Sequence, residues 1–315
     1  MVHTISVRQL LKILDDIHVL YGHEYINKEI ITDDIYRPAL ELAGYLKYYP
    51  KERLQLYGKT EISYSRTMTS ENRDEIFDFL CQKETPAFLI SRGLEPPKEL
   101  IEHTQKAGIP ILTSERRTTQ LSSRVTNVLE RELAQRKSIH GVLLDVNGMG
   151  VLITGQSGIG KSETALDLIR RGHRLVTDDR VDLYTTDGVL VYGESPEVTK
   201  HMIEIRGIGI IDVTHMFGVG AVRERARVNL IVHLELWNED TMYDRLGADV
   251  NHQKIFDVEI PSMVIPVSPG RNIAIIIETA AMSIRSKQLG YDASEKLMEN
   301  MNRLMAENAK KNKNE

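Results

Sequence analysis

Apolar positions along this chain follow two alternating periods, one helical and one of short unbroken runs. Ser6-Val7-Arg8-Gln9 has the form of a capping box, and Leu10, Leu11 and Leu14 behind it share a helical face. Ile30-Ile31 and Leu54-Gln55-Leu56-Tyr57 predict strands. Between them Pro38, suited to a first turn, predicts a helix through Tyr45. The pattern then becomes regular. A helix over Ser70–Leu80 precedes a strand over Ala87–Ile90. A helix over Pro97–Lys106, stopped by Gly108, precedes a strand over Ile109–Leu112. Such alternation implies a parallel sheet with helical crossovers. Tyr45, Tyr48 and Tyr49 read as packing residues. No chemistry can be assigned to this region from its residues.

From Thr118 to Arg136 one amphipathic helix is expected, with Leu121, Val125, Val128, Leu129 and Leu133 on one side and neither Gly nor Pro. A domain boundary is expected near its end, with a helical linker: an N-terminal α/β domain over residues 1–132 and a second domain over 133–315. The second domain opens on Val142–Val146, then Asn147-Gly148, then Met149–Thr154. Asn-Gly between apolar runs predicts a hairpin. That pairing is antiparallel, a departure from the all-parallel core of nucleotide-binding α/β folds.

The last of these strands runs into Gly155-Gln156-Ser157-Gly158-Ile159-Gly160-Lys161-Ser162, which fits G-x-x-x-x-G-K-[ST]. A helical pattern follows from Glu163 to Gly172. Strand, glycine loop and helix is the context of a phosphate-binding loop. Glycines let the backbone curl so that N–H groups face phosphate oxygens. The helix N-terminus adds donors and a partial positive charge. Lys161 can reach the outer phosphates, and the Ser162 hydroxyl can ligate Mg²⁺.

Further candidates surround this loop. Arg174–Thr177 predicts a strand delivering Asp178 and Asp179 to a sheet end, where one carboxylate could hold a metal and the other take a proton; a solvated Asp-Asp turn is the alternative. His140 precedes the hairpin and on spacing alone reads as a surface residue, although its strand could bring it close to the loop. In Ile203-Glu204-Ile205-Arg206-Gly207-Ile208-Gly209-Ile210-Ile211-Asp212 the first four residues alternate as a strand with charges on one face. Arg245 lies in an expected loop after a strand at Leu230–Leu236. Pro266-Val267-Ser268-Pro269-Gly270-Arg271 is a rigid loop ending in a cation, before a helix over Asn272–Gln288 stopped by Gly290. Asp292-Ala293-Ser294-Glu295 caps a final helix, and Lys310–Glu315 reads as a disordered tail.

Composition narrows the class. With 40 basic and 45 acidic residues the net charge is −5, which gives no general argument for nucleic acid. One cysteine, Cys81, excludes an intrachain disulfide and suits a reducing cytoplasm. No apolar run approaches a membrane span and no leader layout opens the chain.

Taken together these stretches resemble the bifunctional HPr kinase/phosphorylase family. The resemblance rests on GQSGIGKSE, TDD, IEIRGIGIID and PVSPGR, and covers the second domain nearly throughout. It implies a P-loop kinase core related to phosphoenolpyruvate carboxykinase. The implied activity is ATP-dependent phosphorylation of a serine of the phosphocarrier HPr, and removal of that phosphate by inorganic phosphate with release of pyrophosphate. It also implies a hexamer, and control by sugar metabolites, including fructose 1,6-bisphosphate, and by phosphate, within carbon catabolite repression. By the same resemblance Asp179 is the base, and His140, Lys161 and Arg245 are catalytic. Ser162 and Glu204 ligate Mg²⁺, with Asp178 in support. Ile203–Asp212 serves both reactions and Pro266–Arg271 chiefly dephosphorylation. A small-molecule phosphotransferase with the same loop, or a non-catalytic ATP-sensing scaffold, would share the glycine motif, but pure sensing has no use for a base.

Overall fold

A computed structural model describes residues 4–186, 188–239 and 251–311. The chain divides into two compact units, 1–135 and 136–315.

In the first unit, β1 (Ile5–Ser6) leads into α1 (Val7–Ile13). The Ser6 hydroxyl accepts from the Gln9 N–H, and the Gln9 side chain accepts from the Ser6 N–H, so the capping box forms as its sequence requires. Then come β2 (His18–Tyr21), β3 (Glu29–Ile30), which pairs with β1, β4 (Ile35–Tyr36), α2 (Ala39–Leu42), β5 (Leu54–Tyr57), α3 (Lys59–Ser65), α4 (Ser70–Leu80), β6 (Phe88–Ser91), α5 (Lys98–Ala107), β7 (Ile111–Ser114) and α6 (Thr118–Leu133). The sheet order is β2-β7-β6-β5-β4. The last four strands are mutually parallel and β2 is antiparallel at the edge. Leu54, Leu56, Leu89 and Leu112 pack on one face against α1 and α6; Tyr57, Phe88, Ile90 and Ile111 pack on the other with α4 and α5.

Several expectations need correction here. The helix expected from Pro38 to Tyr45 is only the single turn α2, because Gly44 takes φ +94° and breaks the pattern. Of the three tyrosines only Tyr49 is a packing residue. It lies 5.9 Å from the Phe79 ring, while Tyr45 and Tyr48 are 50% and 70% exposed. The long helix stops at Leu133, and Arg136 is already in a strand. Pairing of Arg136–His140 with a partner strand outweighs local helical propensity, so the junction is extended rather than helical.

The second unit contains β8 (Arg136–His140), β9 (Val142–Val146), β10 (Met149–Gly155), α7 (Lys161–Arg170), β11 (Arg174–Thr177), β12 (Arg180–Thr186), β13 (Leu190–Glu194), β14 (Met202–Ile205), β15 (Gly209–Asp212), α8 (Val213–Phe217), β16 (Arg225–Leu236), β17 (Asn251–Ile255), β18 (Val258–Val267), α9 (Ile273–Gln288) and α10 (Ala293–Lys311). The main sheet runs β11-β9-β10-β16-β13-β12-β8, and β18 pairs with the later part of β16. The Asn147-Gly148 hairpin joins β9 and β10 antiparallel, with both residues at positive φ as such a turn demands. β16 is parallel to both β10 and β18. β11 is antiparallel to β9 and so runs with β10 as well. The carboxyl ends of β10, β11, β16 and β18 therefore lie along one edge of the sheet. Ile153, Ala165, Leu168, Val232, Ile277 and Ala281 bury α7 and α9 against one sheet face.

Strands β12, β13, β17 and β18 were not evident from apolar runs. α10 extends through Lys311, so Lys310 and Lys311 are helical rather than the start of a tail. Nothing in that sequence breaks a helix. The loop containing Arg245 lies outside the described residues, as do residues 312–315.

Candidate active site

β10 ends at Gly155 with φ +141°, and Gly158 and Gly160 take φ +84° and +99°. A Cβ on Gly155 would lie 2.5 Å from the Leu234 carbonyl oxygen, so only glycine allows the loop to leave beside β16. Gly160 precedes the first turn of α7, which leaves the helix N-terminus facing the loop. The Lys161 ammonium turns back and donates to the Gly155 and Gln156 carbonyls at 3.0 and 3.1 Å. Desolvation holds it below the ordinary lysine range, against the opposing charges of Asp178 and Asp179.

The chain reaches the same edge again at the end of β11. Asp178 is 3% exposed. Its carboxylate accepts from the Ser162 hydroxyl at 3.0 and 3.1 Å and from the Glu204 N–H at 3.1 Å. Burial raises its carboxyl above the ordinary range, and these hydrogen bonds oppose the rise. Asp179, next in the chain, points outward with a side chain 71% exposed. Its φ of +67° lies in the left-handed region that Asp tolerates better than most residues. There the chain turns from β11 into β12. Its carbonyl accepts from the Gly141 N–H at 3.0 Å, and the Thr177 hydroxyl donates to the Arg180 carbonyl at 2.7 Å.

His140 ends β8 opposite Arg180 of β12. That register sets its Nδ1 3.0 Å from the Asp179 Oδ1. So the histidine that spacing alone left on the surface lies beside the proposed base. The contact itself comes from the β8–β12 pairing, which the residue pattern did not signal.

The strand expected at Ile203–Arg206 is β14, and Ile203–Asp212 as a whole is a hairpin of β14 and β15, turning through Gly207 at φ +85°. Ile203, Ile205 and Ile211 are buried, while Ile208 and Ile210 are exposed. Arg206 donates to the Ser157 hydroxyl at 3.2 Å, and its guanidinium lies so close to Gly158 that an added Cβ would sit 2.6 Å from Nη1. Asp212 caps α8 by accepting from the His215 N–H.

A cleft of about 150 Å³ is lined by His140, Ser157, Gly158, Gly160, Lys161, Ser162, Glu163, Asp178, Asp179, Glu204 and Arg206. Glu163 was not singled out from sequence, although its place directly after Lys161-Ser162 in the first turn of α7 was a usable signal. Pro266–Arg271 is not part of this lining. Pro266 and Val267 end β18, and Arg271 folds back to donate to the Pro266 carbonyl at 3.1 Å. The loop leaves from the same sheet edge, beyond β16.

The donors fit a hard divalent cation. Ser162, Glu204 and Asp178 all offer oxygen, the preferred partner of Mg²⁺. Among the described residues no group of three His, Cys, Asp or Glu side chains is placed to hold a metal ion. The arrangement can bind phosphates, offset their charge and take a proton from an incoming hydroxyl.

Comparison with known proteins agrees in both units. The family described as HPr Serine kinase N terminus matches residues 5–129, and that described as HPr Serine kinase C-terminal domain matches residues 131–301. The HPr kinase/phosphorylase of Lactobacillus johnsonii is 51% identical over 99% of this chain and 98% of its own. That of Latilactobacillus sakei is 51% identical over 98% of this chain and 99% of its own. The solved Hpr(Ser) kinase/phosphatase of Coxiella burnetii is 39% identical, covering 51% of this chain and 98% of its own, with a TM-score of 0.47.

Proposed function

The chain belongs to the HPr serine kinase family, and we propose that its second unit transfers phosphate to and from a serine of HPr within the single cleft at Gly155–Ser162. The activity is that of a bifunctional serine kinase and phosphorylase. The observation that carries the reading is the convergence of Lys161, Ser162, Asp178, Asp179 and Glu204 on that cleft.

Each residue has a role its position permits. The loop N–H groups and the α7 N-terminus hold the nucleotide phosphates in one direction and pyrophosphate in the other. Lys161 leaves its carbonyl partners and offsets charge on the transferring phosphoryl group. Asp179, exposed and at the cleft, takes the proton of the HPr serine. In reverse it returns that proton to the departing serine oxygen, while inorganic phosphate attacks phosphorus. His140 orients the Asp179 carboxylate through its Nδ1 contact. Ser162 and Glu204 would hold Mg²⁺, with Asp178 orienting Ser162. That ion would supply neutralisation of phosphate charge there. Arg206, beside Ser157 and Gly158, contributes positive charge at the loop, as part of the Ile203–Asp212 segment that serves both reactions. Arg245 adds a further cation, and Pro266–Arg271 acts chiefly in dephosphorylation. Positioning and charge neutralisation dominate phosphoryl transfer, so one cradle serves both directions. The direction follows the supply of ATP, phosphate and pyrophosphate. The protein works as a cytoplasmic hexamer in the control of carbohydrate use; no helix among the described residues is long and apolar enough to cross a membrane.

Purified protein given ATP, Mg²⁺ and HPr should form phosphoserine on HPr. Given phosphorylated HPr and inorganic phosphate, it should release pyrophosphate. If a metabolite gains phosphate while HPr does not, or if ATP binds without any turnover, the reading is wrong.

A further inference from the structure

His140 reaches Asp179 across two strands that the apolar pattern does little to hold in register. β8 ends the sheet order, so it pairs on one side only, with β12. Ile139 is the one apolar residue in that strand. Register is weakly specified where a strand is mostly polar. The His140–Asp179 contact cannot fix it alone, because the two side chains are 50% and 71% exposed, and exposed pairs contribute little.

Across those strands three side chains close a ring. Ser138 lies opposite Asp182, as His140 lies opposite Arg180. Opposite residues, and residues two apart, share a face of a sheet, so all four lie on the same face. The Ser138 hydroxyl donates to Asp182 Oδ1 at 2.5 Å. Arg180 donates from Nε to the same oxygen at 3.0 Å and from Nη2 to the Ser138 hydroxyl oxygen at 2.9 Å. A serine hydroxyl has one proton and two lone pairs, so it gives one of these bonds and takes the other. A slip of two residues, the smallest that keeps each face, would set Ser138 opposite Arg180 or Tyr184 and break the ring. The same slip would carry His140 away from Asp179, which stands at φ +67° just before β12.

We propose that Ser138, Arg180 and Asp182 are positioning residues, whose ring fixes the register of β8 on β12 and thereby sets His140 against the Asp179 carboxylate. None of the three lines the phosphate cleft, so they act through His140 and Asp179 and not on phosphate. A base works only when its carboxylate is held in line with the incoming hydroxyl. The effect on turnover rests on the reading of Asp179 as that base; the effect on His140 does not.

The test uses the full chain with ¹⁵N-labelled histidine, the His140 ring signals being assigned with His140→Gln. In the parent, Asp179→Asn should move those signals. In the Asp182→Ala background the same substitution should move them much less, because the contact is already lost. Assayed with HPr, Asp182→Ala and Ser138→Ala should each lower kcat about tenfold or more in both directions, with ATP affinity unchanged. The double variant should lose little more than either single one, since one ring is broken once. Ser138→Thr keeps the hydroxyl and should restore most of the rate. His140 signals that respond to Asp179→Asn as fully in Asp182→Ala as in the parent would overturn the proposal. So would an unchanged kcat in Asp182→Ala, single losses that multiply in the double variant, or an ATP affinity that falls as far as kcat. The ring-signal readout involves no HPr, so its failure is distinct from failure of the kinase assignment.

Discussion

Both units carry a sheet with parallel strands, and both bring loops to the carboxyl ends of those strands, where open α/β sheets hold ligands. The two ends differ in how their polar groups are satisfied. In the first unit several of them pair with one another, although the Tyr57 hydroxyl and one Glu41 oxygen are buried without a partner among the described residues. Glu61 accepts from the Gly58 N–H at 2.8 Å and pairs with Arg37 at 2.7 Å. The Ser91 hydroxyl lies 2.8 Å from that of Thr118, and a Cβ on Gly58 would sit 2.5 Å from the Thr118 oxygen. That end is filled. In the second unit Gly158 and Gly160 line a cleft, Lys161 rests on carbonyls of its own loop, and burial raises the Asp178 carboxyl above its ordinary range. The same place in the two sheets holds a largely self-paired polar cluster in one unit and the candidate site in the other.

The comparison can be broken by substitution. The largest effect is expected from Lys161→Ala, which should reduce both reactions with HPr by about 10³-fold or more. The circular dichroism spectrum should stay unchanged, since the ammonium contacts only two loop carbonyls. Asp178→Asn should also abolish most activity yet leave the fold as stable or more so. Asn can accept from the Glu204 N–H and donate to the Ser162 hydroxyl without a buried charge. The sign follows from linkage. A carboxyl whose folded pKa lies above its unfolded value binds more protons when folded, so it disfavours folding as pH rises through that window. The difference in thermal midpoint between variant and parent should therefore grow from acid to neutral pH; a difference that shrinks would contradict the burial argument.

In the first unit the expectation reverses. Glu61→Gln should lower stability by about 1–3 kcal/mol, read as a lower urea midpoint, with the rate of HPr phosphorylation per folded molecule unchanged. A rate change would mean that this end is not merely a seal. The smallest effect is expected at Arg271→Ala. Its guanidinium is held by the Pro266 carbonyl away from the cleft, and phosphorolysis should slow more than phosphorylation. Equal losses in the two assays would remove the directional role of that loop.

Much of this candidate site is legible in the sequence. Gly155–Ser162 announces itself because the backbone geometry needs glycine at fixed positions, and Asp178-Asp179 follows a short apolar strand. What could not be read was which residues meet. The contact between His140 and Asp179 depends on β8 pairing with β12, and Arg136–Ile139 carries too few apolar residues to signal a strand. The polar alternation at Ile203–Arg206 was visible, but its fold-back at Gly207 and the Glu204 N–H bond to Asp178 are tertiary facts. In the first unit the regular helix–strand rhythm gave α4, β5 and α5 closely. The end of α6 was misplaced because strand pairing beyond Ala134 outweighed helical propensity.

One cleft, with one base, is proposed to run both reactions. The direct measurement is Asp179→Asn assayed for phosphoserine formation on HPr and for phosphate-dependent loss of that phosphoserine, alongside ATP affinity. Both rates should fall together by about 10²–10⁴-fold with ATP affinity retained. Near-normal rates in either direction would contradict the account.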